Sequence, residues 1–361
     1  MVVGTIMLPR VHSNDGFTQL EEVWLGDVYP HEFYDHLAPE VRDVFYRITD
    51  MTKEDLAIIE NRLRELGVTV RRPVYGSIEH HIHRDGSLNK PEIMPRDHYV
   101  VVGTDLVVPE WVRSARQDGY WCWNHVAVDY ESDLGSRLRY HNMPLQINGA
   151  NCVRVGKDIF LDCVFETKNR SQHNLREIFH EHVVPFFADR RCHYLDNGGH
   201  VDACFAILRP ELILANHYFE DYDTTFPGWQ TLVRSTPEFA SDRWRKGPNH
   251  NGKWWLPEGL NNRAFNDHVI KHAMDWIGDY TETFFEVNCL VINPENVMML
   301  GHNQNLFDHL ASLGINVHSM PFRCRTFWDG GLHCLTLDIR RQGGVVDYFG
   351  DKTIDITTRR A

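Results

Sequence analysis

Apolar residues in this chain come in short paired runs rather than long blocks. Four segments, 99–108, 152–161, 204–214 and 289–300, share one pattern: an apolar strand, a short polar turn and a second apolar strand. Their turns are Gly103-Thr104-Asp105, Gly156-Lys157-Asp158, Arg209-Pro210-Glu211 and Asn293-Pro294-Glu295-Asn296. These carry hairpin chemistry, because glycine permits a positive φ and proline presets its own. The first three segments begin at near-equal intervals, which marks an internal repeat.

A second pattern runs from helix into strand. Thr52 is predicted to cap a helix with Leu56, Ile59, Leu63 and Leu66 on one face, ended by Gly67 before the strand Val68-Thr69-Val70. Residues 306–321 repeat this with Leu306, Leu310, Leu313 and Gly314. Strands at 22–28 and 334–339 stand near the chain ends, and together the pieces could close a ring of about five units. A plain α/β sheet with hairpin excursions fits the same spacing. The reading is one domain over 1–361, with an insertion at about 235–279 rich in Trp, Asn, Gly and His.

The chain has 361 residues with 37 Lys+Arg against 50 Asp+Glu, a net charge of −13 that argues against a nucleic-acid partner. Arg243, Arg245, Lys246 and Lys253 beside Trp244 and Trp254 read better as a substrate-facing loop or subunit contact. No apolar run approaches the roughly 18–20 residues of a membrane span, and the N-terminus lacks signal-peptide features. The eight cysteines form no C-x-x-C pair, so reduced thiols in the cytoplasm are expected rather than a disulfide framework.

Polar residues gather ahead of the hairpins: Pro95-Arg96-Asp97, Asn148-Gly149-Ala150-Asn151 and His200-Val201-Asp202, with Gly330-Gly331-Leu332-His333-Cys334 ahead of the last strand. In a ring, these segments would converge on one place. Cys334 is then the candidate nucleophile and His200 the candidate acid. Asp97 and Asp202 are placed to grip a planar guanidinium through paired N–H donors. Each residue also has an ordinary reading: a core cysteine, a turn, a surface ion pair. For a metal, His80-His81-Ile82-His83 and His180-Glu181-His182 would put alternate side chains on one face if extended, but neither has an H-E-x-x-H or C-x-x-C partner, and no catalytic metal is expected.

These motifs resemble the amidinotransferases of the guanidine-modifying pentein superfamily. Leu20-Glu21-Glu22-Val23, Pro95-Arg96-Asp97, the run from Arg154 to Phe160 and His200-Val201-Asp202-Ala203 are similar to family segments. The run from Gly330 to Arg341 is close to G-G-x-H-C-x-T-x-D-x-R-R and is the most specific match. The resemblance implies a five-bladed α/β propeller of ββαβ units around a central channel, working without a metal or organic cofactor. It implies that Cys334 carries the amidino group, that His200 is general acid and then base, and that Asp97 and Asp202 hold the guanidinium. Asn151, His333 and Thr281 are further substrate-binding candidates. Two departures stand out. Asn148 replaces the acid that pairs with the catalytic histidine, so it must orient the imidazole without charge. The family's substrate-carboxylate arginine maps near Phe219, where no arginine stands.

The implied reaction moves the amidino group of L-arginine to an acceptor amine, glycine by default, giving guanidinoacetate and L-ornithine. A hydrolase of deiminase or dihydrolase type using the same Cys/His site is the alternative, and a catalytically silent guanidinium-binding propeller a third. Small molecules are the expected partners, with neither membrane nor nucleic acid, and a homodimer fits the family's habit.

Overall fold

The computed structural model describes residues 9–143, 147–162, 172–195, 200–216, 221–234, 262–277 and 286–354. Among the described residues the strands form five three-stranded sheets. The four predicted hairpins each found one: β3 (Val100–Val102) with β4 (Asp105–Pro109), β6 (Cys152–Val155) with β7 (Asp158–Asp162), β9 (Phe205–Arg209) with β10 (Leu212–Ala215), and β12 (Leu290–Asn293) with β13 (Asn296–Leu300), all antiparallel. A third strand joins the second of each pair in parallel: β5 (Arg137–His141), β8 (Arg191–Leu195), β11 (Gln230–Val233) and β14 (Asn316–Met320).

The fifth sheet is built from both chain ends. Strand β1 (Leu20–Leu25) lies antiparallel to β15 (Thr336–Arg341) and parallel to β2 (Thr69–Arg71), repeating the grammar of the other four. The two incomplete terminal strands of the sequence are therefore one unit, and the molecule is a mixed α/β fold of five like sheets.

The helix predicted to start at Thr52 starts earlier, spanning Pro39–Glu65. Pro39 occupies its first turn, where the missing N–H costs nothing. Val41, Val44, Phe45 and Ile48 extend the apolar face upstream of Leu56, Ile59 and Leu63. Thr52 is buried in mid-helix, its hydroxyl donating to the Ile48 carbonyl at 2.6 Å and accepting Trp328 Nε1 at 2.8 Å. A threonine so satisfied has no need to cap.

Of the insertion, residues 262–277 are described and hold a helix, Arg263–His272, capped by Asn262. Its Phe265 and Val269 and the nearby Trp276 are buried in the core that includes Phe45 and Phe327. The basic–aromatic cluster at 243–254 lies outside the described residues, as do Phe219 and Thr281. Neither histidine motif is extended along its whole length, although Ile82 makes an isolated antiparallel bridge with Leu88. His80 closes a 3-10 turn and His180-Glu181-His182 sit in a π-helical segment.

Candidate active site

The site is assembled from the segments that precede the first strand of each sheet. Pro95–Asp97, Gly149–Asn151 and Val201–Ala203 each form a single 3-10 turn. They are stitched together in order. Arg96 Nε donates to the carbonyls of His333 at 2.7 Å and Thr336 at 2.8 Å, tying the first turn to the last strand. Gly149 N–H donates to the Tyr99 carbonyl at 3.0 Å, and a Cβ on Gly149 would lie 2.7 Å from Arg96 Cγ, so the second turn meets the first only through a glycine. Asn151 Oδ1 accepts the Val201 N–H at 3.2 Å, joining the second turn to the third.

The last segment closes the set. Cys334 is 5% exposed, and its Sγ faces Asp202 Oδ2 at 3.3 Å. The same oxygen accepts His333 Nδ1–H at 2.7 Å, a contact that fixes the imidazole tautomer because a carboxylate only accepts. From the fourth sheet's leading segment, Asn288 Nδ2 donates to Cys334 Sγ at 3.0 Å while its Oδ1 accepts the Cys334 N–H at 3.0 Å. Buried polar atoms without a hydrogen-bond partner also collect here: Asp97 Oδ1, Asp202 Oδ1, Asn148 Nδ2 and Asn151 Nδ2. Orphaned acceptors and donors of this kind are costly unless something else meets them.

Burial pushes the Cys334 thiol well above its ordinary range, the charges of Asp202, Asp97 and Asp329 push it further, and the Asn288 amide opposes them. Burial also works to raise Asp202, but the His333 hydrogen bond and the charges of His333, His200 and Arg96 prevail and hold it below the usual carboxylate range. His333 is pushed down to about 4, by burial first and then by Arg96, against the pull of Asp202. At neutral pH the site therefore holds a neutral thiol, a neutral His333 and an ionised Asp202.

Under the site lies a buried ionic hub. Asp338 binds Arg96 at 2.6 Å, Arg341 at 2.7 Å and Arg154, all four 4% exposed or less. The arginines also donate to backbone carbonyls of other sheets, Arg154 to Val101 and Arg341 to Val291. Motif residues carried along with the candidate nucleophile and acids thus bind the sheets together. Beneath Asp202 and His333, a cavity of about 50 Å³ is walled by Ala150, Cys152, Arg154, Phe205, Cys289 and Val291.

Cys334, Asp202 and His333 are thus in direct contact, and Asp97 lies near enough to act on the thiol by its charge. His200 leads into the third turn and acts on Asp202 in the same way. The oxygen of Asn148 caps its own turn by accepting the Asn151 N–H at 3.0 Å. Sequence reading missed Asn288. A lone asparagine carries no motif, but its place ahead of the fourth hairpin, where the other leading segments supply polar residues, is a signal that could have found it. Among the described residues no group of three or more His, Cys, Asp or Glu stands where it could hold a metal ion.

The fold and the motifs together place the chain in a class: a mixed α/β protein with the fold of the pentein amidinotransferases. Among proteins of that class, it is 22% identical over 347 residues to the mitochondrial glycine amidinotransferase of Gallus gallus, covering 83% of this chain and 72% of that protein. It is 24% identical over 340 residues to inosamine-phosphate amidinotransferase 1 of Streptomyces glaucescens, covering 84% of each. Among solved structures, SxtG, an amidinotransferase from Microseira wollei in the saxitoxin biosynthetic pathway, superposes with a TM-score of 0.64 over 94% of this chain and 100% of that one, at 19% identity. No protein-family model matches the chain. No helix of the described residues is long and apolar enough to cross a membrane.

Proposed function

We propose that the five sheets close around a common axis as a five-bladed propeller, and that the protein is an amidinotransferase acting at the mouth of its central channel. The observation that carries this reading is the buried thiol of Cys334 set against Asp202, with one oxygen each of Asp202 and Asp97 buried and unpartnered beside it. A flat cation with forked N–H donors satisfies both oxygens and cancels both charges. It thereby removes two of the causes that hold the thiol protonated.

The substrate we assign is L-arginine. His200 takes the thiol proton, and the thiolate attacks the guanidinium carbon. The bond from that carbon to the side-chain nitrogen breaks as His200 returns the proton to the departing amine. Ornithine leaves and a cationic amidino-cysteine remains on Cys334. The acceptor amine, glycine by default, then attacks with His200 as base, giving guanidinoacetate and the free thiol. Asn148 and Asn151 bring amide N–H groups where the family has acids. His333, held neutral, keeps Asp202 oriented, and Thr281 remains a proposed substrate contact.

The test is arginine offered with and without glycine, with ornithine, citrulline, urea and ammonia measured. Ornithine only in the presence of an acceptor is expected, and Cys334→Ala is expected to lose it by at least 1,000-fold. Citrulline, urea or ammonia without an acceptor would instead favour hydrolysis, the reading motivated by amides in place of the acids at 148 and 151.

A further inference from the structure

We infer that Asn288 is a positioning residue for the Cys334 sulfur, aiming it and donating a hydrogen bond to its thiolate. This rests on Cys334 being the nucleophile, and it assigns the site a part that the sequence motifs do not contain.

The geometry leaves the amide little freedom. The Cys334 backbone N–H needs an acceptor, so Oδ1 must face it, and Nδ2 must then face the sulfur, 3.0 Å away. The Asn288 backbone carbonyl also accepts the His333 N–H at 3.3 Å. Asn288 is 5% exposed, so these contacts do not compete with bulk water. The two glycines ahead of Cys334 make the approach possible. A Cβ on Gly331 would lie 2.5 Å from the Asn288 carbonyl oxygen and 2.8 Å from its Oδ1, and one on Gly330 would lie 2.9 Å from Cys334 Cβ. The glycine pair is thus explained by the clamp as well as by the turn.

The electrostatic need is plain from what surrounds the sulfur. Asp202, Asp97 and Asp329 all oppose a negative charge there. His333 is neutral and committed to Asp202, while Arg96 acts on His333 and Asp202. A neutral amide donor favours the thiolate without repelling a cationic substrate, which a lysine or arginine in the same place would do. Hydrogen bonds to ionised groups are the stronger kind.

The experiment is the pH dependence of Cys334 alkylation by iodoacetamide in the full-length protein without substrate, read peptide by peptide by mass spectrometry. Asn288→Asp keeps the acceptor for the Cys334 N–H but offers no donor to the sulfur, and Asn288→Ala removes both without adding charge. The expected result is a Cys334 profile displaced toward higher pH in both, with at least ten-fold slower alkylation at pH 8, and other cysteines unchanged. A Cys334 profile that does not move overturns the inference, as does an equal change at every cysteine; if Asn288→Ala does not fold, the similarly sized and uncharged Asn288→Leu decides in its place. Ornithine formation by the unaltered protein is measured in parallel. Its absence with a displaced profile counts against amidino transfer and leaves the clamp standing, whereas its presence with an unmoved profile does the reverse.

Discussion

At the scale of single residues, the molecule shows how one carboxylate can be asked to do different work by its neighbours. Asp338 and Asp202 are both buried, yet the first is enclosed by three arginines and the second faces a thiol and an imidazole. Arginines take the ionisation of Asp338 far below its ordinary range despite burial, making it a fixed charge. Asp338→Asn would leave three buried guanidinium groups without their shared counter-charge. We expect a loss of about 3–5 kcal/mol in urea unfolding, the magnitude found when one partner of a buried ion pair is removed. The arginines were visible in the sequence as motif positions. Their convergence on one aspartate was not, because Arg96, Arg154 and Asp338 belong to three different sheets or their leading segments.

At the scale of elements, the hairpins were legible because their chemistry is local: two short, almost continuously buried apolar strands and a turn that needs particular backbone angles. Gly103 and Gly156 meet that need at φ of +60° and +65°. The third hairpin meets it with Glu211 at φ +67°, an exposed side chain whose backbone carbonyl accepts the Gln230 N–H. Glu211→Gly removes left-handed strain at the cost of a looser unfolded chain. A net gain of about 0.5–1 kcal/mol is expected from urea denaturation, with strand pairing intact. The long helix was only half legible. Its apolar face continues upstream of Thr52, but threonine before a periodic run looks like a cap until Trp328, far along the chain, is seen to hold it inside.

At the scale of the whole molecule, three buried or half-buried histidines couple folding to pH. His81, His268 and His333 are each pushed down to about 4, with burial the leading cause. The unfolded chain binds protons at these residues below about 6.5, whereas the folded chain refuses them until about 4. Their contribution is therefore fully present above pH 6.5 and is lost as pH falls toward 4. A melting temperature that declines across that window is the expected result in a calorimetric pH series. His81→Gln should reduce the slope. A flat profile between pH 6.5 and 4.5 would contradict it.

What the sequence determined by itself was every feature fixed within some tens of residues: the hairpins and their turns, the second helix-to-strand unit, and the motifs that mark Cys334, Asp202 and Asp97. What only the tertiary structure decided was how distant pieces meet. It paired the two chain ends into a fifth sheet, gathered Arg96 and Arg154 onto Asp338, and placed Asn288 on the sulfur of Cys334. The physical reason is range. Turn geometry and apolar periodicity act between neighbours along the chain, whereas burial, charge balance and hydrogen-bond completion act between neighbours in space, and those exist only once the sheets have packed.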